Sequence, residues 1–122
     1  MTVLRASEAP TFELPGVRFS AYAAPSRGSK ELCTWQVTVA PGNDPAPHTI
    51  DREETFLVLS GRLRFTPDGD ELSPGDVAIV PAGEQILLTN PGPGEASAYV
   101  AIAAGFTATT ADGDRLQPPW AQ

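Results

Sequence analysis

A single histidine and a nearby glutamate are the residues of this sequence best suited to acid–base chemistry. His48 is the only histidine, and Glu54 follows six positions later in the segment PGNDPAPHTIDREETFLVLSG, residues 41–61. Imidazole changes its charge close to neutral pH, and a carboxyl group enclosed by apolar side chains does so as well. If the fold brings the two groups into one pocket, they could act as general base and general acid on a small molecule.

The sequence offers few residues that could bind a transition-metal ion. Transition-metal sites in proteins usually combine two or more imidazoles or thiolates with a carboxylate. Apart from His48, the sequence offers only one other strong soft ligand, the lone thiol of Cys33. We therefore expect no metal or other cofactor, and if a metal were held at all, His48 and Glu54 would be its ligands.

The elements that must position these residues are short β-strands. Pro and Gly interrupt the chain at close intervals and leave runs rich in Val, Ile, Leu and Phe, whereas no segment keeps apolar residues at helical spacing. The predicted strands are 17–23, 32–40, 55–59, 62–67, 77–80, 85–90 and 97–104. Turn sequences such as PDGD at 67–70 and PGPG at 91–94 separate them. This pattern indicates an all-β protein, either a sandwich or a jelly roll.

The residues around His48 stand at a characteristic spacing. Gly42, His48, Glu54 and Gly61 are separated by five, five and six residues. This spacing resembles the first sequence motif of the cupin superfamily, in which a second histidine stands at the position of Ile50. The departure matters because the histidines of that motif are metal ligands in the family.

A second group of residues resembles the second cupin motif. Gly75, Pro81, Gly83 and Asn90 match it, and Ile86 takes the place of its metal-binding histidine. The two motifs together cover residues 42–90 and leave both ends of the chain unassigned. The resemblance therefore implies a cupin whose metal site has lost two of its histidines.

The resemblance also implies the architecture, an all-β, cupin-type jelly-roll β-barrel that forms a single domain. We expect an N-terminal arm at residues 1–12, the barrel at 13–106 and a Pro-rich C-terminal tail at 107–122. Trp120, near the end of this tail, is interpreted as covering a sheet face rather than contacting a ligand. Because small cupins often form dimers, a homodimer is expected as well.

The pocket is expected to be lined by side chains that share a face with Glu54. Alternate residues of a strand face the same side, so Phe56 and Val58 accompany Glu54. Trp35 and Gln36 point in opposite directions, and the sequence does not decide which of them faces inward. The predicted pocket residues are Gln36, Ile50, Phe56, Val58, Ile86 and Leu88, with His48 and Glu54 as the catalytic pair.

Three functions are compatible with such a pocket. In the first, His48 and Glu54 converge on one point, as the resemblance implies, and serve a metal-independent isomerase, cyclase or lyase acting on a small apolar metabolite. In the second, the pair only holds strands together in a non-catalytic ligand-binding or accessory protein. The third is a weakly metal-bound oxygenase or isomerase. We favour the first, because the two isoleucines extend the apolar lining while the polar pair is kept.

The composition argues against several kinds of partner. The 122-residue chain has a net charge of −7 at pH 7 and no cluster of Lys or Arg, which disfavours nucleic acid and anionic membrane surfaces. No apolar run is long enough to span a membrane, and the N-terminus lacks the basic and apolar regions of a signal peptide. We therefore expect a cytoplasmic protein whose partner is a small-molecule ligand.

Overall fold

The computed structural model describes all 122 residues, and its regular structure is almost entirely β. Three 3₁₀ turns of three residues each accompany nine strands. The strands are β1 (Thr11–Leu14), β2 (Val17–Ala21), β3 (Leu32–Val39), β4 (His48–Ile50), β5 (Glu54–Ser60), β6 (Val77–Val80), β7 (Ala96–Ala103), β8 (Ala108–Thr110) and β9 (Arg115–Leu116). No helix is long and apolar enough to cross a membrane.

The strands form two antiparallel sheets. One sheet has six strands in the order β1-β2-β3-β7-β5-β6, and the other has three in the order β4-β8-β9. Neighbours in the larger sheet are often distant in sequence, as in the pairs β3 with β7 and β5 with β7. Between β3 and β5 the chain passes through β4 of the smaller sheet, and such crossing between the sheets is typical of a jelly roll. The predicted all-β, single-domain jelly-roll fold is confirmed.

The interior between the sheets is filled by alternate residues of the strands. In β3 the side chains of Cys33, Trp35, Val37 and Val39 are buried, and the residues between them are more exposed. The same alternation in β5 buries Glu54, Phe56 and Val58. This period of two follows from the pleat of the strand, and it decides which side chains can reach an interior cavity.

Two of the predicted strands are wrong. Residues 62–67 and 85–90 make isolated bridges only, with Leu63 opposite Leu72 and Arg64 opposite Thr89. Successive residues of the segment 85–90 form backbone hydrogen bonds with different neighbours. Ile86 pairs with His48 of β4, whereas the Leu87 N–H group donates to the carbonyl oxygen of Phe65. A segment that alternates between partners cannot build a continuous ladder with either of them.

The two ends of the chain contribute more regular structure than expected. Strand β1 crosses the predicted boundary between residues 12 and 13, and β8 and β9 lie within the predicted tail. The β-branched pair Thr109–Thr110 suits a strand, and β8 pairs with β4 through three consecutive residues. The tail thus forms part of the sheet that carries His48. The homodimer and the cytoplasmic location stay predictions.

Candidate active site

A cavity of about 600 Å³ lies between the two sheets and opens to the surface. Of its 25 lining residues, 15 are hydrophobic. His48 and Ile50 come from β4, Glu54 and Phe56 from β5, and Trp120 from the C-terminal turn. This volume and this mostly apolar lining with a few polar groups are typical of a small-molecule site.

His48 is held at the start of β4 between two neighbours on the same face of the sheet. Thr110 of β8 lies directly opposite it on one side, and Ile86 forms a bridge with it on the other. The imidazole Nδ1 lies 3.0 Å from the carbonyl oxygen of Ala46. Because a carbonyl oxygen can only accept, Nδ1 carries the hydrogen and the lone pair of a neutral His48 is on Nε2. This tautomer leaves Nε2 able to accept a proton.

Glu54 is the first residue of β5, and its side chain is almost completely buried, with 3% exposed. Its cross-strand neighbours are Val80 and Ile102, which provide no hydrogen-bond donor from their side chains. The buried oxygen Oε2 has no hydrogen-bond partner. Loss of solvation raises the pKa of Glu54 to about 8. At neutral pH Glu54 is thus mainly a neutral carboxylic acid, able to donate a proton.

His48 and Glu54 line the same cavity without contacting each other. The three ion pairs of the protein all join an arginine to a glutamate near the surface, and neither His48 nor Glu54 takes part. The implied direct interaction of the two groups is therefore not formed. Each group can therefore contact a molecule bound in the cavity.

The donors in this cavity do not fit a transition-metal ion. Ile50 and Ile86, at the positions of the two missing histidines, are 6% and 1% exposed and belong to the hydrophobic core. No group of three or more His, Cys, Asp or Glu side chains in the chain is arranged so that it could hold a metal ion. A set of two separated donors between isoleucines provides neither the number nor the type of ligands that such ions require.

Of the six other predicted pocket residues, four line the cavity, whereas Val58 and Gln36 do not. Ile50, Phe56, Ile86 and Leu88 line the cavity. Val58 has the direction expected from its strand, but it is buried in the core and does not reach the cavity.

The prediction of Gln36 as a pocket residue needs correction. In β3 it is Trp35 and Val37 that line the cavity, so Gln36 lies on the opposite face. There its side-chain oxygen accepts a hydrogen bond of 2.9 Å from the hydroxyl group of Tyr22. The sequence left both directions of the strand open, and the apolar residues that alternate with Gln36 were the available signal.

Most of the aromatic residues that line the cavity were not predicted from the sequence. Phe19, Trp35, Phe106 and Trp120 all border the cavity. Trp120 stacks on Phe19 with ring centroids 3.6 Å apart and an interplanar angle of 5°. Trp120 thus covers the inner face of the sheet, as expected, and also lines the cavity. Only the fold shows this second role, because the tail lies far from both motifs in sequence.

The family is shown by the sequence itself. The family model described as Cupin domain matches residues 35–102, which is more than half of the chain. The chain therefore belongs to the cupin family. No curated protein matches the sequence significantly.

Solved structures share the fold at low sequence identity. The polyketide cyclase RemF from Streptomyces resistomycificus has a TM-score of 0.71 and 19% identity, with 84% of this chain and 79% of that chain covered. An RmlC-like cupin protein from Ralstonia eutropha has a TM-score of 0.73 and 12% identity, with 98% and 79% covered. A sugar phosphate isomerase of the cupin superfamily from Silicibacter pomeroyi has a TM-score of 0.71 and 20% identity, with 91% and 82% covered. These likenesses show the cupin fold.

Proposed function

We propose that this protein is a metal-independent enzyme of the isomerase, cyclase or lyase type, acting on a small apolar molecule. The observation that carries the proposal is one apolar cavity holding an oriented imidazole, His48, and a buried carboxyl group, Glu54, that do not neutralise each other. Buried polar atoms without a partner are rare in proteins, and a catalytic role is one of their recognised explanations.

The two groups suit proton transfer next to a carbonyl group. Nε2 of His48 would take a proton from the carbon beside the carbonyl, while the Glu54 carboxyl group donates its proton to the carbonyl oxygen. The resulting enol is neutral, and the step leaves His48 as an imidazolium and Glu54 as a carboxylate. Both return to their neutral forms when His48 gives its proton to the product and Glu54 takes back the enol O–H proton. Return of a proton at another carbon completes an isomerisation. Attack of the enol carbon on a second carbonyl group forms a ring, and departure of a neighbouring group gives an elimination.

Acid–base pairs of this kind contribute about 10²–10⁴ in rate. A carboxylic acid kept protonated near neutral pH by its apolar surroundings is the form that such a step requires. Polyketide cyclase and sugar phosphate isomerase are activities named for two proteins of the same fold. Since one fold hosts unrelated activities, this likeness is compatible with the proposal without carrying it.

A non-catalytic ligand-binding protein is the second candidate. It is favoured by the predominance of hydrophobic side chains, 15 of 25, in the cavity lining. Such a lining binds apolar molecules whether or not they react. The two candidates differ in one respect that can be measured, since only the enzyme changes the bond pattern or the hydrogens of its ligand.

The test uses 2-tetralone, a neutral aromatic ketone whose hydrogens beside the carbonyl exchange with solvent. Exchange in D₂O is followed by proton NMR for the wild-type protein and for His48→Ala, Glu54→Gln and Gln36→Ala, the last being a control outside the cavity. We expect accelerated exchange that falls by about 10²–10⁴ in the first two variants and is unchanged in the control. Exchange that survives in His48→Ala would contradict the proposal. Binding of the ketone with no accelerated exchange would favour the binding protein.

A further inference from the structure

The cavity wall is unusually rich in aromatic rings. Five of the nine aromatic residues in the chain border it, namely Phe19, Trp35, Phe56, Phe106 and Trp120. The rings come in packed pairs, with Trp120 on Phe19 at 3.6 Å between centroids and Trp35 near Phe106 at 5.9 Å. Aromatic rings pack best against other flat unsaturated groups. The wall therefore favours a planar ligand over a saturated one.

The charges around the cavity exclude anions. No Lys or Arg lines it, and the only charged or acidic lining residues apart from His48 are Asp44, Glu54 and Asp112. The chain as a whole carries a net charge of −7 at pH 7, which also disfavours the approach of an anion. A phosphate or carboxylate taken from water into this cavity would lose its hydration without gaining a Lys or Arg partner.

Polar atoms without partners indicate that the ligand carries oxygen. The protein has three buried side-chain polar atoms without a hydrogen-bond partner, Oε2 of Glu54, Oγ1 of Thr110 and Nε1 of Trp120, and all three belong to cavity-lining residues. The indole N–H can only donate, so its natural partner is an oxygen acceptor. Small rotations of these side chains would present the atoms to a hydroxyl or carbonyl group.

We infer that the cavity selects an uncharged, planar aromatic molecule bearing hydroxyl or carbonyl oxygen, and that Trp120 is a specificity-determining residue for it. Trp120 lies in the C-terminal turn, outside residues 35–102 that match the family model. The part of the selectivity that depends on Trp120 is therefore a property of this chain's own C-terminal segment. The inference deepens the proposed function by naming the ligand class of the same site.

Calorimetric titration at pH 7 with four probes of similar size tests the ligand class. The probes are 2-naphthol, 2-naphthoate, 2-naphthyl phosphate and the saturated alcohol decahydro-2-naphthol. We expect 2-naphthol to bind at least about tenfold more tightly than each of the other three, because the anions lack a cation and the saturated rings lack a π face. Equal or tighter binding of either anion or of the saturated alcohol overturns the inference, and so does failure of 2-naphthol to bind.

Variants of Trp120 test its role in the same titrations. Trp120→Leu removes the ring, Trp120→Phe keeps a ring and removes the N–H group, and Gln36→Ala is the control on the opposite sheet face. We expect Trp120→Leu to weaken 2-naphthol binding about tenfold and to reduce the preference over the saturated alcohol. Trp120→Phe should lose a smaller factor and keep that preference. Circular dichroism checks that both variants are folded. The assigned role would be contradicted if Trp120→Phe kept the wild-type affinity for 2-naphthol and Trp120→Leu kept the wild-type preference for 2-naphthol over the saturated alcohol.

These titrations separate the inference from the proposed function. None of the four probes has to react, so ligand selectivity is measured independently of turnover. Selective binding of 2-naphthol without hydrogen exchange in 2-tetralone would leave the inference standing and remove the enzyme proposal. Hydrogen exchange in 2-tetralone together with tighter binding of an anion would support the enzyme proposal and contradict the inference.

Discussion

Ile86 and His48 exchange a pair of backbone hydrogen bonds, with the Ile86 N–H donating to the His48 carbonyl oxygen at 2.8 Å and the His48 N–H donating back at 3.3 Å. Residues paired in this way point to the same face, so the Ile86 side chain stands directly beside the imidazole. In the cupin motifs this position carries a histidine. Ile86 thus places an apolar side chain where the resemblance to the cupin motifs implies a metal ligand.

Restoring both histidines should create a metal site. In the double variant Ile50→His/Ile86→His, three imidazoles and Glu54 would border one cavity, which is a sufficient ligand set for Zn²⁺ or Ni²⁺. We expect about one equivalent of metal per chain by mass spectrometry after incubation and dialysis, and no stoichiometric metal in the wild-type protein.

The matched control is Ile50→Gln/Ile86→Gln, which adds polar groups of similar size that are poor ligands for these ions. Its metal content should equal that of the wild-type protein. Stoichiometric metal in the wild-type protein, lost in His48→Ala, would show that two donors suffice here and would return the chain to the metal-dependent cupins.

Glu54 should make the protein less stable as the pH rises. Its pKa is about 8 in the folded chain because of burial, whereas an exposed glutamate in the unfolded chain titrates near 4.5. The folded state therefore binds the extra proton, and the free energy of unfolding falls as the pH rises from about 4.5 to about 8.

Glu54→Gln should lack this decline and be more stable than the wild-type protein at pH 9, by several kcal/mol, because each unit of pKa shift corresponds to about 1.4 kcal/mol. Urea unfolding at pH 5, 7 and 9 measures the difference. Parallel pH dependence of the two proteins would mean that Glu54 is not neutral in the folded state.

The sequence predicted the parts of this protein that depend on local pattern. The alternation of β3 and β5, the jelly-roll class and the cavity positions of Ile50, Phe56 and Ile86 follow from strand periodicity and from motif spacing. The direction of Gln36 was left open, although the apolar residues that alternate with it, such as Trp35 and Val37, indicate that their face of the strand turns inward.

Contacts between residues that are distant in sequence could not be predicted from local pattern. Nothing near Trp120 in sequence indicates that it stacks on Phe19, about a hundred positions earlier in the chain. The absence of an ion pair between His48 and Glu54 could not be predicted either, because motif spacing places two residues in one site without giving the distance between their side chains. These tertiary details decide the chemistry proposed for the cavity.

Asn90 should contribute strongly to stability through its side-chain amide. Nδ2 donates to the carbonyl oxygens of Val39 and Gly94, at 2.9 and 2.8 Å, and Oδ1 accepts from the Gly92 N–H group at 2.9 Å. The residue is 3% exposed, so water cannot readily replace these bonds. Asn90→Ala should lower the free energy of unfolding by about 3 kcal/mol, at about 1 kcal/mol for each bond lost.

Urea unfolding of Asn90→Ala is best compared with that of Gln36→Ala, whose amide has one hydrogen bond, to the Tyr22 hydroxyl group, at a half-buried position. The control should lose less than about 1 kcal/mol. A loss in Asn90→Ala no larger than in the control would show that the turn at residues 91–94 forms without the amide.

Gly42 and Gly61 of the first motif share a backbone conformation and differ in the atoms that surround them. Gly42 has a φ of 67° and Gly61 a φ of 71°, in the left-handed region that disfavours side chains. A Cβ atom at Gly61 would lie 2.7 Å from the Cα atom of Ala96 and from the carbonyl oxygen of Glu95, whereas one at Gly42 would have nothing within 4 Å.

Gly42→Ala should therefore cost only the backbone strain, about 1–2 kcal/mol. Gly61→Ala should cost that strain and a further ~1–3 kcal/mol, because β5 would have to move away from the start of β7 to relieve a contact with backbone atoms. Thermal and urea unfolding of the two variants measure the difference directly. Equal losses would mean that conformation alone explains both glycines and that β5 and β7 separate at this end without cost, whereas a larger loss at Gly61 would show that the close approach of the strands requires glycine there.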